Sequence, residues 1–297
     1  MPTTAASPPA SPPPSAKPIG VFDSGLGGLT VVRALRARLP GEAVSYLGDT
    51  ARVPYGTKSA ATVARYSLMS ARFLLGRDVK LLLIACNTAS ASAVEVLRAE
   101  LSVPVLGAVE PGADEAIAAT HTGRIGVIGT LGTVRSGSYP RAIAALDPKA
   151  KVTALACPLF VPLVEEGWLG ANEAGVPGLA ERRAARAIAE RYLGELHTRA
   201  PELDVIVLGC THYPLLQPLL AEVVAELWPH EVRLVDSAHA MARAAERELA
   251  AAGLLAASHK TEAEFLDCYV TDETRLAELG ARFLGHPLDR VERVDLI

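Results

Sequence analysis

The sequence predicts an α/β protein built as two pseudo-symmetric parallel-sheet domains that face each other across a central cleft. Three observations carry that reading. Apolar runs of strand length recur along the 297 residues, Ala/Leu-rich helical stretches separate them, and three strand-plus-turn segments appear in the same order in both halves. Runs that are apolar throughout read as strands buried on both faces, and the intervening helices supply the crossovers a parallel sheet needs.

The chain opens with MPTTAASPPASPPPSAKP, residues 1–18. A Pro/Ala/Ser segment cannot bury enough apolar surface to fold, so it is expected to be a disordered tail. It lacks the charged start and apolar stretch of a secretory signal, which leads us to expect a cytoplasmic protein. Strands are then expected at IGVF (19–22), VSYL (44–47), KLLLIA (80–85), RIGVIG (124–129), KVTALA (151–156), DVIVLG (204–209) and VRLVD (232–236). LTVVRALRARL, ATVARYSLMSARFLLG and LAERRAARAIAERYL read as helices between them.

The halves match without gaps at their most informative points. KLLLIACNT (80–88) aligns with DVIVLGCTH (204–212), and GVFDS (20–24) with GVIGT (126–130). Between those pairs, L-G-D-x-x-x-V-P (47–54) is echoed by L-A-C-x-x-x-V-P (155–162). Each match falls at the carboxyl end of a strand, the edge where open α/β sheets hold ligands. The repeat brings one cysteine from each half, Cys86 and Cys210, to opposite sides of one cleft.

Composition narrows the partners. A net charge of −4 does not suit a general binder of nucleic acid or anionic lipid. No apolar run approaches the roughly 20 residues of a membrane helix. Neither a membrane nor a nucleic-acid partner is therefore expected. The four cysteines form no C-x-x-C pair, which removes the common zinc and thioredoxin spacings. Cys157 and Cys268 read as structural.

Two similar acid/base groups in near-mirror relation are what inversion of a C–H stereocentre requires. One base removes the proton from one face, and a conjugate acid returns a proton to the other. A thiol of ordinary pKa, about 8.5, reaches either protonation state near neutral pH. Asp23, at the end of the first strand, and His212, two residues after Cys210, are candidate helpers of one thiol each, and Glu165 is a candidate to orient His212. Small polar residues at the strand ends (Ser24, Asn87, Thr88, Thr130, Thr133 and Thr211) can bind carboxylates beside helix N-termini. Each of these, and Asp23 too, has the alternative of an ordinary helix cap.

The segments FDSGLGGLTV (22–31), GDTARVPYGTKS (48–59), ACNTASA (85–91) and GCTHYPLL (209–216) resemble the signatures of glutamate racemases. VIGTLGTVRSGSY (127–139), CPLFVPLVEEG (157–167) and LVDSA (234–238) fit as well, and the resemblance runs from about Ile19 to Ile297. It implies that Cys86 handles the proton of D-glutamate with Asp23 nearby, and Cys210 that of L-glutamate with His212 and Glu165. Substrate contacts implied are Asp23, Ser24, Tyr55, Gly56, Asn87, Thr88, Thr130, Thr211 and His212. Also implied are glutamate as substrate, catalysis without pyridoxal phosphate or metal, a homodimer, and supply of D-glutamate for peptidoglycan. The domains implied are 19–111 plus 225–297, and 112–224, with the helix in ETRLAELGARFLG (273–285) in the first.

Three alternatives stand beside this reading. Gly25-x-Gly27 after a strand hints at a dinucleotide site, but Thr30 stands where the third glycine belongs and Asp23 would repel pyrophosphate. A two-lobed amino-acid-binding protein suits the cleft yet needs no thiol on each lobe. An aspartate or hydantoin racemase would differ only in the groups that meet the substrate's side chain.

Overall fold

The computed structural model describes residues 13–169, 178–257 and 261–296. The first half alternates β1 (Ile19–Asp23), α1 (Leu29–Arg38), β2 (Val44–Gly48), α2 (Ala60–Leu75), β3 (Leu81–Ile84), α3 (Asn87–Glu100) and β4 (Val105–Gly107). The second runs through α4 (Val109–Ala119), β5 (Arg124–Gly129), α5 (Leu131–Ser136), α6 (Ser138–Leu146), β6 (Lys151–Ala156) and α7 (Phe160–Glu165). It continues with α8 (Leu179–Arg199), β7 (Val205–Gly209), α9 (Gln217–Leu227) and β8 (Arg233–Asp236). The chain closes with α10 (Ser237–Ala251), α11 (Glu262–Phe265), β9 (Leu266–Val270), α12 (Leu276–Leu284) and β10 (Val291–Arg293).

These strands make two sheets, ordered β10-β9-β2-β1-β3-β4 and β6-β5-β7-β8, with every neighbouring pair parallel. The fold class is α/β, as the apolar runs predict. Removing β9 and β10 leaves β2-β1-β3-β4, the same order as the second sheet. The sequence repeat is therefore a repeat of topology. The central strands β1, β3 and β7 are buried at every residue, because helices cover both faces. The edge strand β6 is partly exposed and accordingly carries Lys151 and Thr153.

The structure corrects two boundaries. β8 pairs with β7, so the chain returns to the first domain only with α10, past the residue 225 expected from the sequence. Apolar content marks a strand but not the sheet it joins. α10 then packs on both α1 and α4, tied by ion pairs Arg38–Glu246 and Arg243–Glu115. The second correction concerns the tail. Pro14–Ala16 form a short 3-10 turn, and Ser15 O accepts a hydrogen bond from the buried Lys80 ammonium at 2.6 Å. Residues 1–12 of the expected tail lie outside the described residues. The short strands β4 and β10, three residues each, had no pattern long enough to announce them.

Candidate active site

Most of the side chains singled out above stand where a strand hands over to a helix, while Tyr55 and Gly56 lie in a 3-10 turn (Tyr55–Thr57) and Glu165 ends α7. β1 ends on Asp23, and Ser24 opens the turn into α1. β3 runs into Cys86, the N-cap residue of α3. β5 runs into Thr130, whose hydroxyl caps α5 by accepting the Thr133 N–H at 3.2 Å. β7 runs into Cys210, with Thr211 and His212 in the following turn. Register keeps these edges level: Phe22 pairs with Ile84, and Gly129 with Gly209.

The edges enclose a cavity of about 260 Å3. The first half supplies Ser24, Tyr55, Gly56, Cys86, Asn87 and Thr88 to its wall. The second supplies Thr130, Glu165, Cys210, Thr211 and His212. Asp23 lies behind the wall, 1 % exposed, with one carboxylate oxygen accepting the Gly25 N–H at 3.0 Å and the other buried without a hydrogen-bond partner. Ligand pockets run to roughly 300–1,000 Å3, so this space is near the size that suits a small molecule.

The two thiols sit in unlike surroundings. The Cys86 thiol donates to Ser24 Oγ at 3.4 Å. Burial first, and then the Asp23 carboxylate, push it up to about 12, so it keeps its proton. Asp23 is itself raised by burial, against the opposing pull of His212 and three backbone N–H groups. Cys210 has a cation for a neighbour. Burial is the largest influence on His212 and opposes its charge, yet hydrogen bonds to Cys210 and Glu165 outweigh it and raise the imidazole to about 10. The ring is thus an imidazolium, with Nε2–H donating to Glu165 Oε1 at 3.0 Å. Its Nδ1–H lies 3.3 Å from Thr211 Oγ1 and 3.9 Å from Cys210 Sγ. The same bond to His212 holds Glu165 below the usual carboxylate range.

Residues that sequence reasoning missed hold this site in shape. Tyr55 OH donates to the buried Asp49 at 2.6 Å, and Asp49 also accepts from Thr271 at 3.1 Å. Asn87 Nδ2 donates to Tyr139 OH at 2.8 Å, which leaves Asn87 Oδ1 buried and unpartnered. Across the domains, the Thr88 hydroxyl meets Thr130 at 2.9 Å and Thr133 at 3.3 Å, and Thr30 donates to the Thr211 carbonyl at 3.2 Å. Gly27 is forced by the same contact: a Cβ there would fall 2.4 Å from Thr211 Oγ1 and 2.6 Å from His212 Nδ1. The repeated V-P pair also acquires a place, since Val53–Pro54 and Val161–Pro162 are matching apolar walls of the cavity. Among the described residues, no lysine lines the cavity and no group of three or more His, Cys, Asp or Glu is placed to hold a metal.

Comparison with known proteins identifies the family. Residues 29–245 match the model of the Asp/Glu/Hydantoin racemase family. The chain is 48 % identical to the glutamate racemase of Geobacter metallireducens over 281 residues, covering 94 % of this chain and 97 % of that one. The crystal structure of glutamate racemase isoform RacE1 from Bacillus anthracis superposes with a TM-score of 0.83 at 34 % identity, covering 95 % and 98 % of the two chains. Glutamate racemase from Francisella tularensis, solved in complex with D-glutamate, superposes with a TM-score of 0.81 at 32 % identity over the same shares. With matches of this identity over nearly its whole length, the chain belongs to the glutamate racemases of the Asp/Glu/Hydantoin racemase family.

Proposed function

We propose that the protein interconverts L- and D-glutamate by a two-thiol transfer of the α-proton, without an electron-sink cofactor. The observation that carries this reading is one cavity faced by Cys86 from one half of a duplicated fold and by Cys210 from the other. With L-glutamate bound, the Cys210 thiolate takes the α-proton while the Cys86 thiol delivers its own to the opposite face. The reverse reaction starts from the opposite protonation states.

The α-carbon of an amino acid whose carboxylate is ionised is a weak acid, so the developing negative charge needs strong support. The His212 imidazolium and the hydroxyl, amide and backbone donors of Thr88, Thr130 and Thr211 are suited to the substrate's carboxylates. The unpartnered oxygen of Asn87, a residue of the cavity wall, is suited to its ammonium group, since buried acceptors are rarely left unpaired, and Asp23 adds negative charge from behind the wall. A dry cavity strengthens each of these contacts. From the resemblance, the active form is a cytoplasmic homodimer whose D-glutamate feeds peptidoglycan synthesis.

The test uses purified protein treated with chelator and freed of carbonyl cofactors. Circular dichroism follows L-glutamate, L-aspartate and a substituted hydantoin in parallel. Loss of optical activity with glutamate alone supports the reading. Turnover of aspartate or the hydantoin instead would reassign the substrate, and inactivity until pyridoxal phosphate or a metal is added would overturn the cofactor-free scheme.

A further inference from the structure

The end of α7 is held from the other domain. Glu165 is the last residue of this short helix, and its carbonyl is among those a helix leaves without an internal partner, whereas the Val164 carbonyl already accepts the Gly167 N–H at 3.1 Å. Arg282, on α12, donates from Nη1 to Glu165 O at 2.6 Å and to Val164 O at 3.2 Å. Arg275, at the N-cap of α12, donates from Nη2 to Glu165 O at 2.7 Å and from Nη1 to Glu166 Oε1 at 2.7 Å. Glu278 binds both guanidinium groups, at 3.2 Å from Arg275 and 3.1 Å from Arg282, so the two act as one clamp.

Two backbone features make room for it. Gly167 has a φ of +72°, and a Cβ there would lie 2.8 Å from Arg282 Nη2. Arg275 itself has a φ of +59°, a left-handed conformation that a side chain adopts at a cost and that surrounding contacts must maintain. The next residue along α12, Phe283, packs edge-on against the His212 ring with centroids 4.8 Å apart. One helix, fixed to the six-stranded sheet through α1, thus touches both members of the Glu165–His212 pair of the other domain.

We propose that Arg282 and Arg275 are positioning residues for proton transfer at Cys210. They fix the end of α7, hence the Glu165 carboxylate, hence the His212 imidazolium beside the thiol. The Cys210 side is therefore complete only when α12 is docked, whereas the Ser24–Cys86 side is assembled within its own domain. This rests on the two-thiol reading above.

The enantiomers have equal free energy in water, so any variant must lose kcat/KM equally in both directions. A direction-specific defect appears instead in the isotope effect of α-deuterated substrates. The experiment compares Arg282→Met, Arg282→Lys and Arg275→Met with the wild type in full-length protein, using α-deuterated L- and D-glutamate. Arg282→Met is expected to lower kcat/KM about tenfold with KM little changed, the effect of mislaying roughly one hydrogen bond. Its isotope effect should rise for L-glutamate, because abstraction by Cys210 becomes limiting, and fall for D-glutamate. Arg275→Met should show the same asymmetry more weakly, and Arg282→Lys should restore part of the loss. Isotope effects unchanged for both enantiomers, or raised equally for both, would overturn the positioning role. A wild type that does not racemise glutamate would instead sink the reading on which it rests.

Discussion

Replacing Glu165 by glutamine isolates what the carboxylate does for His212. Glutamine keeps the length of the side chain and an acceptor oxygen, so the Nε2–H bond of 3.0 Å can persist while the negative charge is lost. A charge-assisted bond contributes about 1.5–3 kcal/mol and a neutral one about 0.5–1.5. The difference, roughly 1–1.5 kcal/mol, corresponds to about one pKa unit. The Glu165 side chain is 38 % exposed, so solvent screening trims this figure and does not enlarge it. His212, held at about 10, should therefore titrate about one unit lower in Glu165→Gln and remain an imidazolium at neutral pH. The assay is a 15N NMR titration of histidine-labelled protein, with the His212 resonance found by its disappearance in His212→Asn. Activity at pH 7.5 should fall less than tenfold, whereas Glu165→Ala, which also frees the ring to turn, should fall further. An unchanged midpoint in Glu165→Gln, or a wild-type midpoint near 6.5, would refute the account of how this side of the site is charged.

Three further outcomes are expected. Cys86→Ser and Cys210→Ser should each lower kcat/KM in both directions by about 10²–10⁴ with the circular dichroism spectrum intact, and near-normal turnover in either would end the two-thiol scheme. Gly27→Ala should push the Thr211–His212 turn outward by part of an ångström, costing about 1–3 kcal/mol in urea unfolding and up to ~10² in kcat/KM; wild-type kinetics would show that this contact is not tight. Lys80→Met strands Glu42, its partner at 2.5 Å, with both side chains 2 % exposed and Lys80 just before β3, at the end of that strand away from Cys86. It should cost about 3–5 kcal/mol with kcat per folded molecule unchanged, and the further change Glu42→Leu should recover most of that; a loss below about 1 kcal/mol would mean the pair is not buried in solution.

Much of this architecture could be read before any coordinates, because it depends on local signals. RIGVIG and KVTALA fall on β5 and β6 residue for residue, and fully apolar runs in a helix-separated series leave few alternatives to parallel sheets. The placement of Cys86 and Cys210 on one cavity followed from the repeat, since equivalent positions of two like sheets stand at equivalent edges. Sheet membership was not legible: the two apolar residues of β8, Leu234 and Val235, mark a strand without naming a partner, and only the path of the chain sends it to β7. Nor were the supports of the site. Asp49 reaches Tyr55 through a turn, Tyr139 reaches Asn87 across the domains, and Arg282 reaches Glu165 over more than a hundred residues. Such pairings depend on tertiary distance, which no periodicity encodes. Asp23 shows the finer limit, for its position beside the thiol was foreseeable and its burial behind the wall was not.

The measurement that tests the central claim most directly is the fate of the α-proton in heavy water, followed early in the reaction by NMR. If Cys86 and Cys210 work from opposite faces, D-glutamate formed from L-glutamate carries deuterium from the first turnovers while the remaining L-glutamate keeps its proton, and the converse holds from D-glutamate. Product that retains the original proton, or deuterium appearing equally in residual substrate and product, would mean that a single base serves both faces and would contradict the account.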